Sequence, residues 1–351
     1  MPKKRNDYGK KIAVIGSGPA GLSCAYYLAI DGYKVTVFEK QPKVGGMLTL
    51  GIPGFRLEKD VVNAEIDILR QMGVEFKTGV EVGKDVTIQQ LREEGFKGFY
   101  LAIGAQAGRK LNIAGEDAEG VIAGDDFLRD INLGDMPEMK GKDVVIGGGN
   151  VAIDVARSAV RTDASEVSMY CLEQREEMPA LPEEIEEALE EDINILNGYG
   201  PKEILTENGR VSGVVFKKCI RVFDENDRFS PVFDENDTIT VEADYVLLSV
   251  GQSILWGDLL KGTKVEINPN GTVIADDLTY QTDEPDIFVG GDVFTGPKLA
   301  INAIAAGKQA AISLHRFVQP GQSLTYGRDR REYHSFDKEN IVVEGFDTTP
   351  R

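Results

Sequence analysis

The sequence predicts an α/β protein made of two parallel-sheet units, the second inserted in the first. Three observations carry this reading. A strand, glycine turn, helix and strand follow one another in "KKIAVIGSGPAGLSCAYYLAIDGYKVTVFEK", residues 10–40. The same plan recurs in "GKDVVIGGGNVAIDVARSAVRTDASEVSMYCLE", residues 141–173. Two further apolar strands that end in glycine, "ADYVLLSVG" and "PDIFVGGDV", come after the second turn.

In the first unit, apolar "IAVIG" reads as a buried parallel strand. "PAGLSCAYYLAIDG" reads as a helix closed by Gly32, and "KVTVFE" as the next strand, joined by a right-handed crossover. Gly16, Gly18 and Gly21 give the G-x-G-x-x-G pattern. The first permits a tight turn, the second lets the backbone approach a pyrophosphate, and the third lets helix and strand pack closely. The helix N-terminus offers N–H groups and partial positive charge to phosphates. Glu39 closes the second strand and can accept the hydroxyl hydrogens of an adenosine ribose. Gly45, Gly46 and Met47 follow, where paired glycines let backbone pass close to a bulky ligand.

Between the two turns, "VVNAEIDILRQMG" reads as an amphipathic helix, "VEFKTGVEV" as a strand and "FKGFYLAIGA" as an apolar strand running to Gly104. The second turn contains Gly147, Gly148, Gly149 and Ala152, the dinucleotide pattern with alanine at its third position. "LPEEIEEALEED" then reads as an acidic helix, and "VSGVVFKKCIRVFD" as alternating strand. "ADYVLLSVG" ends at Gly251. In "DIFVGGDV", Gly291 and Asp292 follow a strand, so a carboxylate there can hold a polyol chain. The helix "KLAINAIAAGKQAAISLHRFV" can turn its N-terminus to an electron-rich ring. These motifs make two Rossmann-like dinucleotide-binding domains the expected architecture. The expected division is a linker at 1–10, a first domain at 11–115 and 252–320, a second at 116–251, and an extended tail at 321–351.

The formal net charge of −19 argues against nucleic acid as a partner. No apolar run is long enough to span a bilayer, and the basic, polar opening "MPKKRNDYGKK" does not read as a signal peptide. Cys24, Cys171 and Cys219 form no C-x-x-C pair. That excludes a disulfide scaffold and points to a reducing, cytoplasmic compartment. Three thiols fall short of the four that an iron–sulfur cluster normally takes. His315 and His334 cannot build a histidine-rich metal site, so no metal is expected, and His315 is assigned a structural role.

Taken together, "VIGSGPAGL", "VFEK", "VGGML", "YLAIGA", "VVIGGGNVAIDVAR", "DYVLLSVGQ" and "DIFVGGDV…AINAIAAGKQAA" resemble the two-dinucleotide flavoprotein family. Within it the chain is most similar to the glutamate synthase small subunit group. That group includes the NADPH-binding subunit of electron-bifurcating ferredoxin:NADP oxidoreductase. The resemblance runs from residue 10 to about residue 345. It implies FAD in the first site. Gly16, Gly18, Pro19, Ala20 and Gly21 would meet its pyrophosphate, with Glu39 and Lys40 at the adenosine ribose. Gly45, Gly46, Met47 and Gly104 would lie along the flavin side. Gly291 and Asp292 would hold the ribityl chain, and Ala300 and Ile301 would bring the last helix to the flavin's pyrimidine edge.

The resemblance also implies a nicotinamide nucleotide in the second site, at Gly147, Gly149, Asn150, Val151, Ala152, Glu173 and Gly251. In the glutamate synthase small-subunit pattern, the strand after this turn ends in tyrosine and two arginines, which suit a 2′-phosphate. Here Tyr170 is followed by Cys171, Leu172 and Glu173. A carboxylate there repels a phosphate and accepts a free 2′-hydroxyl, so NADH is expected over NADPH. Arg157, Arg161 or Arg175 reaching a phosphate remains the alternative.

The expected activity is that of an FAD-dependent NADH oxidoreductase module. Hydride would pass from NADH to flavin N5, and electrons onward to an iron–sulfur cluster on a partner protein or a missing domain. The family's cysteine-rich cluster module is absent from this sequence, so either the chain is a domain of a longer polypeptide or the clusters lie on a partner chain in a multisubunit electron-transfer complex. An NADPH-dependent electron donor of the glutamate synthase type and a redox-silent nucleotide-binding scaffold are the alternatives. Lacking paired cysteines, the chain is not expected to act as a thioredoxin- or lipoamide-type disulfide reductase.

Overall fold

Strand β1 (Lys11–Ile15) buries its last four residues, because helices cover both faces of its sheet. The computed structural model describes residues 2–226 and 228–329. Helix α1 (Pro19–Asp31) starts at a proline, whose missing N–H is no loss in a first turn. It ends at Gly32, which takes φ 102°. Strand β2 (Lys34–Glu39) then pairs with β1 in parallel, from Lys11 opposite Lys34 to Ile15 opposite Phe38. Short α2 (Met47–Leu50), α3 (Lys59–Gln71), β3 (Glu75–Thr78), α4 (Ile88–Glu93) and β4 (Phe96–Leu101) continue the unit. Of the nine-residue stretch read as one strand from Val74, only Glu75–Thr78 is strand, since Gly79 turns the chain at φ 67°.

The chain leaves this unit through β5 (Ala107–Gly108) and builds a second one from β6 (Val121–Ala123), α5 (Gly124–Leu133), β7 (Gly141–Ile146), α6 (Asn150–Ala159), β8 (Ala164–Cys171), α7 (Pro182–Glu190) and β9 (Asn194–Asn197). An antiparallel sheet follows, β10 (Tyr199–Glu207), β11 (Arg210–Phe223) and β12 (Phe229–Glu242), and then β13 (Tyr245–Leu248). The return passes through β14 (Gln252–Ser253), which pairs antiparallel with β5. Strand β15 (Ile287–Val289), α8 (Asp292–Thr295) and α9 (Ala300–Val318) complete the first unit.

The two parallel sheets have the orders β15-β4-β1-β2-β3 and β6-β13-β7-β8-β9. The second is therefore nested in sequence between β4 and β15 of the first, as an insertion must be. In both sheets the glycine turn follows a central strand. That places it at the carboxyl ends of the strands, where open α/β sheets bind ligands. One face of the second sheet packs on α5 and α6 through Val145 and Met169. The other packs on the antiparallel sheet through Val144, Ile146 and Tyr170, and the Tyr170 ring stacks on Phe216 with centroids 4.2 Å apart.

The opening residues lie along the end of α1. Arg5 donates its N–H to Ile30 O, Tyr8 donates to Gly32 O, and the Tyr8 ring meets Tyr33 and His315. His315 Nδ1 is 2.9 Å from the Tyr33 hydroxyl, a structural contact. Of the extension expected at 321–351, residues 330–351, with His334, lie outside the described residues. No helix among the described residues is long and apolar enough to cross a membrane.

Candidate dinucleotide sites and the bridge between them

The first turn is built from contacts only glycine allows. Gly16 takes φ 101°, and a Cβ on it would stand 2.3 Å from Ala102 O. A Cβ on Gly21 would stand 2.0 Å from Gly16 O, so the helix is held against the turn. Gly18 is different: nothing lies within 4 Å of its Cβ position. Its backbone faces open space at the start of α1, as close approach of a phosphate requires. Gly46, at φ 56°, packs its backbone against Gly18 from the other side.

Glu39 is 3% exposed. Its Oε2 accepts from Ser17 N–H at 3.0 Å and from Ser17 Oγ at 2.6 Å, and its Oε1 accepts from Gln41 N–H at 2.8 Å. Ser17 Oγ in turn accepts from Gly45 N–H. The carboxylate is thus oriented by the two glycine loops, and it lines a small cleft with Lys40, Val82 and Trp256. That cleft shares Ile103, Gly104 and Gln106 with a neighbouring cavity of about 150 Å³. Gly18, Pro19, Ala20, Gly46, Met47, Gly291, Asp292 and Ala300 line the neighbour. Burial raises the Asp292 carboxyl above its ordinary range, against a bond from Lys298 N–H. Ile301 does not line the cavity and is 65% exposed. Sequence reasoning missed Ile52, Gln106 and Trp256, which belong to no motif, and Lys298, which opens the quoted last helix.

In the second turn, Gly147 takes φ 141° and a Cβ there would stand 2.3 Å from Ser249 O. Ala152 is fully buried beneath it. Asn150 Oδ1 accepts from Leu181 N–H, which ties the start of α7 to the start of α6. Gly147, Gly148, Gly149, Asn150, Val151, Glu173 and Gly251 all line one cleft of about 550 Å³, to which Arg109, Lys110, Gln252 and Pro297 also contribute. Glu173 Oε2 stands 2.9 Å from the Cβ position of Gly148. The carboxylate therefore lies beside the turn rather than out in solvent. Burial, aided by Glu177, raises its pKa.

Arg157 and Arg161 are committed elsewhere. Arg157 pairs with Glu187 and Glu191, and Arg161 with Glu191. Both guanidinium groups stack on the Phe55 ring, at 4.7 and 4.3 Å from its centroid. Neither lines the cleft.

Those stacked rings belong to a bridge between the units. Segment 43–59 of the first unit docks on α5, α6 and α7. Lys43 Nζ donates to Asn132 O, and Asn132 Nδ2 donates to Leu50 O at 3.0 Å. Arg56 pairs with Asp154 at 2.7 Å and also with Glu184. Lys59 Nζ donates to Leu48 O and Ile52 O, and burial brings its pKa down to about 8. Phe55 and Arg56, which reach across this bridge, lie in no motif, although their partners Asp154 and Arg157 belong to the quoted stretch around the second turn. The bridge's partners are far apart in sequence, so no local pattern announces it.

The cysteines are free and buried. Burial pushes the Cys171 thiol up to about 12 and raises Cys24 and Cys219 as well, the opposite of a reactive thiolate. No group of metal-ligating side chains occurs among the described residues.

A family model described as pyridine nucleotide-disulphide oxidoreductase matches residues 10–307. The NADP(+)-dependent formate dehydrogenase subunit beta of Moorella thermoacetica is 39% identical over 322 residues, 89% of this chain and 44% of that protein. The glutamate synthase [NADPH] small chain of Escherichia coli is 35% identical over 330 residues, 89% of this chain and 69% of its own length. The NADPH-Fe(3+) oxidoreductase subunit beta of Geobacter sulfurreducens is 32% identical, and the match covers 92% of this chain and 52% of that one. The chain thus spans about half the length of two of these curated relatives. Among solved structures, Mycobacterium tuberculosis FprA in complex with NADPH superimposes with a TM-score of 0.75 at 20% identity, over 88% of this chain and 84% of that one. The T. acidophilum thioredoxin reductase gives a TM-score of 0.68 at 20% identity, over 87% of this chain and 98% of that one. These two likenesses are of fold.

Proposed function

The chain belongs to the pyridine nucleotide-disulphide oxidoreductase family, and from that premise we propose that it is an FAD-dependent NADH oxidoreductase module. The family and the two glycine turns make it a flavoprotein oxidoreductase with two dinucleotide sites. The finer reading, NADH as donor, rests on one observation: Glu173, and no arginine, stands beside the second turn at Gly148. A half-buried carboxylate accepts ribose hydroxyl hydrogens and repels a 2′-phosphate.

The residues of the first cavity fit FAD. In our reading, Gly16, Gly18, Pro19, Ala20 and Gly21 form the phosphate cradle. Glu39 and Lys40 flank the ribose, and Gly45, Gly46, Met47, Gly104, Gly291, Asp292 and Ala300 border the flavin, with Ile301 next to Ala300 in the first turn of α9. This assigns residues 11–115 and 252–320 to FAD and 116–251 to NADH. Bound FAD would supply a two-electron acceptor that can release electrons one at a time. The chain's own part is to orient and to exclude water. The segment 43–59 holds the nucleotide unit against the flavin unit, and the glycine turns anchor each pyrophosphate. With its three thiols buried and separate in sequence, the chain offers no dithiol relay. We assign the onward acceptor to an iron–sulfur protein or domain. In support, three relatives are named as subunits or chains, and the chain spans about half of two of them.

NADPH is the second reading, because the names of the same three relatives print NADP(+) or NADPH. Of Arg157, Arg161 and Arg175, only Arg175 is not held by Phe55 and α7, and Arg109 lines the cleft itself. The Glu173→Arg variant decides between them. The NADH reading expects wild-type kcat/KM to favour NADH, and the variant to shift the ratio toward NADPH by about 10-fold or more. A wild-type preference for NADPH, or a ratio untouched by the substitution, would overturn it.

A further inference from the structure

Three buried polar atoms in the second cleft have no hydrogen-bond partner among the described residues: Asp125 Oδ2, Ser249 Oγ and Gln252 Nε2. All three residues line that cleft. Asp125, 7% exposed, is the second residue of α5. Ser249 follows β13, and Gln252 opens β14 of the ribbon that joins the two units. The positions are contiguous. Ser249 Oγ stands 2.4 Å from the Cβ position of Gly124, and Asp125 Oδ1 stands 2.8 Å from that of Gly108 in β5.

Their place in the sheet puts them at one end of the cleft, which Arg109 also lines, its Nε donating to Gln252 O. With the order β6-β13-β7-β8-β9, Glu173 lies beyond β8, on one side of the turn after β7. Asp125 and Ser249 lie on the other side, after β6 and β13. Pro297 of the first unit borders the same cleft.

Leaving a buried donor or acceptor unpaired is costly, so such atoms are ordinarily satisfied by a partner. Here Asp125 supplies an acceptor, Gln252 a donor and Ser249 either. An uncharged planar group that carries both N–H and C=O satisfies all three. Resting on the reading of this cleft as a nicotinamide nucleotide site, we propose that Asp125, Ser249 and Gln252 read the carboxamide of the nicotinamide ring. The amide N–H donates to Asp125 Oδ2, and its oxygen accepts from Gln252 Nε2. Burial, with Asp126 nearby, raises the Asp125 carboxyl, in keeping with an acceptor held out of water.

Equilibrium binding to the FAD-loaded chain tests this. NAD+ and NADP+ are each compared with their deamido forms, in which a carboxylate replaces the carboxamide, and with ADP-ribose, which lacks the ring. Wild type is expected to bind the amide form about 10- to 100-fold more tightly than the deamido form, because two carboxylates repel. Asp125→Asn is expected to erase that gap and leave ADP-ribose binding unchanged. Gln252→Leu is expected to weaken the amide form while sparing ADP-ribose, and it decides the matter if the first variant loses ADP-ribose through misfolding. An unaltered amide-to-deamido ratio in Asp125→Asn, or amide binding untouched by Gln252→Leu, overturns the assignment while the nucleotide site stands. If wild type binds none of these nucleotides, the reading of the cleft itself fails.

Discussion

Arg56 and Asp154 join the two dinucleotide folds: the Arg56 guanidinium Nη1 lies 2.8 and 2.7 Å from the two oxygens of one carboxylate. The same guanidinium reaches Glu184 on α7. Both carboxylates are largely buried, and for each of them burial outweighs the arginine and raises the pKa. Without Arg56 they would be charged and unpaired. Arg56→Ala is therefore expected to destabilise the chain by about 2–3 kcal/mol at pH 8 in urea unfolding. A carboxylate whose folded pKa is raised loses stability as pH rises toward that value, so the deficit should shrink as pH falls toward 4. A deficit independent of pH would mean that the pair carries no electrostatic weight.

The bridge also predicts a kinetic effect. Phe55→Ala removes the ring on which Arg157 and Arg161 stack. If the bridge orients the nucleotide unit toward the flavin, the rate of flavin reduction should fall several-fold while nucleotide Kd stays near its wild-type value. Stopped-flow reduction and equilibrium binding, measured together, separate the two.

The first turn makes a paired prediction. Gly21→Ala drives a Cβ to 2.0 Å from Gly16 O and is expected to cost about 1–3 kcal/mol of stability. Gly18→Ala meets nothing within 4 Å, at φ −67°. It should leave the unfolding of the flavin-free chain unchanged and yet reduce the FAD content of the purified protein, read from its visible absorbance. Full flavin occupancy in Gly18→Ala would show that the open side of this glycine is not where the pyrophosphate approaches.

Asp143 offers a test of stability alone. It is 1% exposed in β7, neither carboxylate oxygen has a hydrogen-bond partner among the described residues, and burial with Asp244 nearby raises its pKa to about 7. Its folded pKa is above the unfolded one, so the penalty is absent below about pH 4, grows through pH 7 and is constant above. Asp143→Asn should stabilise the chain by about 2–4 kcal/mol at pH 8 and by little at pH 4, measured as urea midpoints.

Much of the fold is legible because its signals are local. Gly16, Gly18 and Gly21 sit at fixed spacing, Glu39 ends β2, and Glu173 follows the end of β8 by two residues. The bridge is not legible. Arg56 meets Asp154 and Glu184 across 98 and 128 residues, and "IPGFRL" has neither helical nor strand periodicity. The ribbon of β5 and β14 has two residues per strand, too few for an alternation to show. Asp125 reads in sequence as an ordinary acidic helix start. Only its burial and its unpaired oxygen set it apart. Ile301, assigned by resemblance through the N-terminus of α9, has a side chain that is exposed and absent from the cavity lining.

The central claim is that one polypeptide holds a flavin and a nicotinamide nucleotide close enough to exchange hydride. Mixing the yellow, FAD-loaded chain with NADH under anaerobic conditions, and following the flavin absorbance, tests it most directly. The account predicts prompt bleaching, faster with NADH than with NADPH. Purified protein that carries FAD and keeps its full colour with either nucleotide would contradict it.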